Sequence, residues 1–202
     1  MNAGLGNLIG LKQHLLPAGM LTNTDYDVQV TAIGKGVASR LEGVCNRYFL
    51  RTVDDIYEFP SETAQVILPR FPVETITKIE QRDTTAGGWY ELIGCILNFS
   101  QPSGWVYLGG PLGAFGSRLR ITFTGGFWWD TTEDNSGVKP TGATLLPDDL
   151  KLAWMIQCAH LWQSKDRMGI GASKEPNKFS ALKEYDLVPE VKDLLRDYVR
   201  FA

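Results

Sequence analysis

The sequence predicts an α+β fold: a helical core of N-terminal helices and one long central helix, an inserted small antiparallel β-sheet, and a C-terminal amphipathic helix. Three observations carry this expectation. Apolar residues recur at three- and four-residue spacing towards both ends of the chain. Short β-type runs fill residues 51–124, and clusters of Gly, Pro, Asn, Asp and Ser separate them. Helices, then strands, then helices is the order of an α+β protein. A body of residues 1–169 and an extension of loop plus helix over residues 170–202 are expected.

The first helix is expected over residues 7–16, where Leu8, Leu11 and Leu15 form one stripe and Pro17 and Gly19 end it. A second is expected over residues 25–48, opened by Thr24 and Asp27 in the relationship of a capping box. Val30, Ile33, Val37, Leu41, Val44 and Tyr48 line its buried face. Gly34, Gly36 and Gly43 fall inside it, each costing about 1 kcal/mol relative to Ala, which points to close packing on another backbone. Strand runs are expected at Ile56 to Phe59, Gln65 to Leu68, Thr75 to Gln81, Trp105 to Leu108 and Arg118 to Phe123, with turns at Asp83 to Gly88 and Gly109 to Gly116. A polar loop, Asp130 to Thr144, leads to the strongest helix, over residues 147–168. Pro147, Asp148 and Asp149 suit its first turn, and Leu152 to Ile156 is apolar all round, as a helix buried on every side would be. Ile170 to Ser180 reads as a mobile loop. A last helix begins at Pro189 and presents Val191, Leu194, Leu195 and Tyr198 on one face.

Composition excludes several function classes. At 202 residues, 44% hydrophobic and 21% charged, the chain can bury a real core. A net charge of -3 with no basic run argues against a nucleic-acid grip or a basic membrane face. Six Trp are many for this length; about two thirds are expected in the core and the rest at an interface. Cys45, Cys95 and Cys158 are scattered and odd in number, which suits buried thiols rather than a disulfide framework. The N-terminus lacks a basic stretch ahead of its apolar residues and no run approaches a membrane span, so synthesis in the cytosol is expected.

Catalytic templates find little. Gly109 to Gly116 lacks the Lys-Ser/Thr of a phosphate loop and feeds a strand, so it reads as a hairpin turn. His160 lies two residues after Cys158, a spacing that points the pair apart on a helix, and His14 has no neighbouring nucleophile. Asp54-Asp55 and Asp148-Asp149 could in principle hold Mg²⁺ in a hydrolase, but turn and helix-start chemistry explains both pairs. No catalytic, cofactor-binding or metal-ligating set emerges, and the chain is not expected to be an enzyme. A second reading is a carbohydrate- or peptide-binding module using Trp89, Trp105 and Trp128.

Three stretches carry a resemblance. They are LPRFPVETITKIE (Leu68 to Glu80), RLRITFTGGFWW (Arg118 to Trp129) and LPDDLKLAWMIQCAHLWQSKDRMG (Leu146 to Gly169). With the helix from Val28 to Tyr48, their order and spacing resemble the head–tail connector (adaptor, or head-completion) family of tailed bacteriophages, over most of residues 24–169. The resemblance implies a virion protein, assembled in the host cytoplasm, that forms a ring of about twelve copies below the portal. It implies the portal protein and a stopper or tail-completion protein as partners. Genome DNA would pass through the channel without sequence-specific binding, and no cofactor and no membrane would be involved. Phe127, Trp128 and Trp129, with Val191, Leu194, Leu195 and Tyr198 of the last helix, are the interface candidates. The chain departs from the simplest members in its long β insertion and its well-patterned tail.

Overall fold

The computed structural model describes residues 2–83, 87–113, 116–130, 137–168 and 186–200. The chain is a mixed α+β protein whose described residues form two compact units. The helical unit takes Met1–Cys45, Trp129–Lys139 and Leu146–Arg200; the β unit takes Asn46–Trp128 and Pro140–Leu145. The β unit thus reaches past both ends of the insertion read from sequence. The loop expected at Ile170 to Ser180 lies outside the described residues.

In the helical unit, α1 spans Leu8–Leu15, α2 Asp27–Cys45, α3 Asp148–Met168 and α4 Pro189–Leu195. Helix α1 packs on α2 and α3, α2 on α3, and α3 on α4. Asn7 caps α1, its Oδ1 accepting from Gly10 N at 2.7 Å. Helix α2 starts at Asp27, not at residue 25. In place of a capping box, Asp27 Oδ1 accepts from the buried Lys12 Nζ at 2.6 Å, tying α1 to α2. Three residues expected at its C-terminal end leave the helix: Asn46 turns at φ 50 and Tyr48 is 51% exposed.

Close packing explains one of the three α2 glycines. A Cβ on Gly34 would collide with the Ala3 carbonyl and lie 2.8 Å from Leu11 Cδ2, whereas one on Gly36 or Gly43 would meet nothing within 4 Å among the described residues. Helix α3 is not buried on every side. Leu150, Ala153, Trp154, Gln157 and Cys158 are buried while Leu152 is 44% exposed, so a run of apolar residues hides an ordinary one-sided helix.

The single inserted sheet expected from sequence is two antiparallel sheets and a short parallel pair. Strands β1 (Thr52–Pro60), β3 (Val73–Arg82), β4 (Tyr90–Leu92) and β7 (Arg118–Gly125) form a four-stranded sheet in the order β1-β7-β3-β4. Strands β2 (Gln65–Ile67), β5 (Ile96–Phe99) and β6 (Trp105–Leu108) form the second, in the order β2-β6-β5. Strand β8 (Phe127–Trp128) pairs in parallel with β9 (Thr144–Leu145), residues the sequence reads as loop. Alternation along β7 buries Leu119, Ile121 and Phe123. They join Phe59, Ile79, Val106 and Leu108 in one apolar cluster fed by both antiparallel sheets.

Candidate functional site

Three of the four paired acids are engaged in the fold, and Asp148 is exposed in the first turn of α3. Asp55 accepts from Arg70 Nε at 2.8 Å, and Asp54, at φ 52 in a β1 bulge, accepts from Thr77 Oγ1 at 3.3 Å. Asp149 Oδ1 takes the amide of Leu150 at 2.8 Å and the Tyr198 hydroxyl at 2.6 Å, as a helix-start carboxylate does. His14 is exposed and His160 half-buried on α3. Cys45 and Cys158 are buried cysteines outside any disulfide, and burial pushes the Cys158 thiol up to about 12. Cys95 is half-buried, and its thiol too is raised by burial. Among the described residues no three His, Cys, Asp or Glu cluster as metal ligands, and no helix is long and apolar enough to cross a membrane.

The aromatic stretch does not project as a unit. Phe127 is buried, and its backbone ties β8 to the segment just before β1: its N–H donates to the Phe49 carbonyl at 2.7 Å and its carbonyl accepts from Arg51 N at 2.9 Å. Glycine is required just before it. Gly126 sits at φ 97, and a Cβ there would lie 2.7 Å from the Leu50 carbonyl oxygen. The Phe127 ring forms one wall of a cage around the buried Arg47 guanidinium, which lies 3.3 Å from the Phe71 ring centroid, 5.4 Å from Phe49 and 5.3 Å from Phe127. Arg47 also donates to the Phe71 carbonyl. Sequence reading passed over Arg47, because three rings 22, 56 and 78 residues apart carry no local signature. Trp128 and Trp129 are half-buried, and Trp129 Nε1 is shielded without a hydrogen-bond partner among the described residues.

The other tryptophans are dispersed. Trp154 is the one fully buried, with five half-buried, fewer in the core than expected. Trp89 lies over the guanidiniums of Arg82 and Arg120, beside β4, at 4.7 and 4.4 Å. Trp105, in β6, stacks on Tyr107. With Trp128 in β8, the three rings of the binding-module reading stand at three separate sheets. On the four-stranded sheet Arg120 grips Glu80 through two bonds of 2.7 and 3.0 Å, and Lys78 adds a third at 3.2 Å. The Arg120 bonds hold the Glu80 carboxyl below its ordinary value, with Lys78 assisting.

On α4 the four candidates divide. Val191 and Leu195 are fully buried in the helical unit; Leu194 and Tyr198 are half-exposed, Tyr198 within a 3-10 turn at Arg196–Tyr198. The approach to α4 is pinned by Gln157, whose amide donates to the Asp186 carbonyl at 3.2 Å and accepts from Val188 N at 3.0 Å. Asp186 is held below its ordinary value, first by Lys192 at 2.9 Å. Along the helices, a groove of about 470 Å³ opens between α2 and α3, floored by Ala32, Ile33, Gly36, Val37 and Leu161 with Arg40 at its edge.

No protein-family model and no curated protein matches the sequence. Solved structures do share the fold. A chain from the neck of an empty gene transfer agent (GTA) particle, computed with C6 symmetry, superposes with a TM-score of 0.61 at 18% identity, over 96% of this chain and 89% of that one. A chain of the virion of the native GTA particle gives 0.58 at 17% identity, again over 96% and 89%. One from the neck of the native particle, computed with C12 symmetry, gives 0.53 at 18%, over 96% and 88%.

Proposed function

We propose that this chain is a structural, non-enzymatic neck component of a tailed phage-like particle: a head–tail connector (adaptor) that forms a ring below the portal, extends the DNA channel and joins head to tail. The observation that carries the reading is the near-complete overlap with a neck chain, 96% of this chain on 89% of that one. A match over both units is more demanding than one over a common β-sheet or helix pair. The order of motifs from Leu68 to Gly169 supports the same family independently of the coordinates. An acidic body with a net charge of -3 suits a passage through which DNA slides, since a strongly cationic lining would hold phosphates.

The partners in this reading are the portal, a stopper or tail-completion protein, and further copies of the chain; the place is the virion. Residues 170–202 form the docking extension. With Val191 and Leu195 taken up by the helical core, Leu194 and Tyr198 are its half-exposed candidates among the described residues; Trp128 and Trp129, also half-exposed, are candidates in their own right. Native mass spectrometry of the chain, alone and mixed with the portal of the same particle, tests this. Rings, or portal complexes carrying many copies, are expected. A monomer that ignores the portal would sink the connector role and leave the fold standing.

A further inference from the structure

Arg82 of β3 and Arg118 of β7 stand directly opposite each other in the four-stranded sheet, a placement that like charges disfavour. The next pair along the same face is Glu80 and Arg120. Among the described residues no carboxylate forms an ion pair with Arg82 or Arg118. Glu80 is engaged by Arg120 and Lys78. Asp83 takes Gln81 Nε2 and the Tyr90 hydroxyl, and Glu62 takes the Gly116 amide. Exposed Glu58 and Glu91 lie opposite Arg120 and Glu80, not opposite the arginine pair. On its other side Arg118 faces Pro60. Arg118 is exposed, and Arg82 Nε is shielded with no hydrogen-bond partner among the described residues. What supports Arg82 is the Trp89 ring, 4.7 Å from its guanidinium and 4.4 Å from that of Arg120, which steadies the cation without neutralising it.

We propose that Arg82 and Arg118 bind backbone phosphates of duplex DNA, so that each copy of the chain takes one weak hold on the genome; the inference rests on the neck reading above. Guanidiniums match phosphate oxygens through paired N–H bonds, and a steadied pair without a counter-charge has those donors to give. In a neck, DNA is the anion that every copy meets. Its charges, about one per 1.7 Å of helix axis, can engage two neighbouring arginines together. Contacts to phosphate carry no sequence information, as a passage for any genome requires. Glu58, Glu80 and Glu91 on the same face keep the hold weak, so the DNA is steadied and can still slide.

Arg82→Gln and Arg118→Gln together remove both charges and leave polar side chains in their place. Anisotropy of a labelled duplex of about 30 base pairs, titrated with the full chain at low and then rising salt, reads the effect. The double variant should bind at least about tenfold more weakly at low salt, and its slope of log affinity against log salt should be shallower by about 1.8, the value for two phosphates. Polyglutamate should compete poorly. Native mass spectrometry with the portal should show the variant assembling as wild type does. Arg118→Gln alone should melt at or above wild type, relieved of a like-charged neighbour. Equal duplex binding by wild type and variant, or none by wild type, would overturn the phosphate assignment and leave the neck reading standing. Tighter binding of polyglutamate than of duplex would overturn it in favour of an acidic protein partner. A lower melting temperature would return Arg118 to the fold, and loss of assembly would make the pair a protein contact; either result overturns the assignment. A wild type that binds duplex through these arginines but never assembles would keep the site and overturn the neck reading.

Discussion

The Trp154 indole Nε1–H donates to the Gly34 carbonyl at 2.9 Å, fully buried, joining two helices 120 residues apart in sequence. The N-terminal turn closes over the same ring: a Cβ on Gly6 would lie 2.9 Å from Trp154 Cζ3, and one on Gly4 would lie 3.1 Å from Nε1. Three segments therefore meet at one anchor: α3 supplies the ring, and the N-terminal turn and α2 are each fitted to it by glycine.

Trp154→Phe keeps most of the apolar volume but leaves the Gly34 carbonyl without its buried donor, a loss of about 1–3 kcal/mol. Gly34→Ala should cost a similar amount, because the collision with Ala3 outweighs the gain in helix propensity. At about 2–4 °C per kcal/mol for a chain of this size, both variants should melt several degrees below wild type. Melting at or above wild type would show that the anchor is dispensable.

Gly43→Ala should move the other way. The site is helical, exposed and open, so the methyl group enters without a clash and removes a flexible residue from α2. A gain of about 0.5–1 kcal/mol is expected, read as a rise of a few degrees in the melting temperature of the monomer.

These two predictions rest on a distinction that the sequence did not make. Glycine spacing within α2 was legible, but which of the three glycines meets another backbone depends on where Ala3 lands, a contact 31 residues away from Gly34. Helix positions followed from periodicity because α1, α2 and α4 bury one stripe each. Helix α3 misled, since its outward Leu152 is as apolar as its inward Leu150. Strands β1, β2, β3, β6 and β7 carry alternation or dense β-branching. Strands β4, β5, β8 and β9 passed unread; length alone does not explain it, since β2 and β6 are also only three and four residues long. The candidate surface was read from aromatic density, which located Trp128 and Trp129 but could not see that Phe127 serves the Arg47 cage.

Arg47→Met tests that cage. Methionine retains much of the length and packs against rings, but it cannot supply the Phe71 carbonyl with a donor or the three faces with a cation. A destabilisation of about 2–4 kcal/mol is expected from the lost buried bond and the desolvated cation–π contacts. Urea denaturation followed by tryptophan fluorescence would measure it, and an unchanged midpoint would show that the cage contributes nothing.

Acid sensitivity should depend on Arg120. Its bonds depress the folded-state pKa of Glu80, so the pair's contribution is fully present above the unfolded carboxylate value and is lost as pH falls through the folded one. Arg120→Met removes that contribution. The stability gap between wild type and variant should be constant from pH 7 down to about 5 and close steadily below about 4. Urea midpoints measured across this range would show it, and a gap that persisted at low pH would mean that Arg120 stabilises through its contact with Trp89 instead.

Thiol reactivity should follow burial. Alkylation proceeds through the thiolate, which a pKa of about 12 makes vanishingly rare for Cys158 at pH 8, and the side chain is sealed within α3 besides. Cys45 is equally enclosed at the end of α2. Cys95 is also raised by burial, but it is half-buried and stands between β4 and β5, so reagent can reach it. Iodoacetamide on the native chain at pH 8, read by peptide mass spectrometry, should therefore modify Cys95 first and reach Cys45 and Cys158 only in urea. Early labelling of Cys158 would mean that the helical unit opens far more readily than its packing around Trp154 implies.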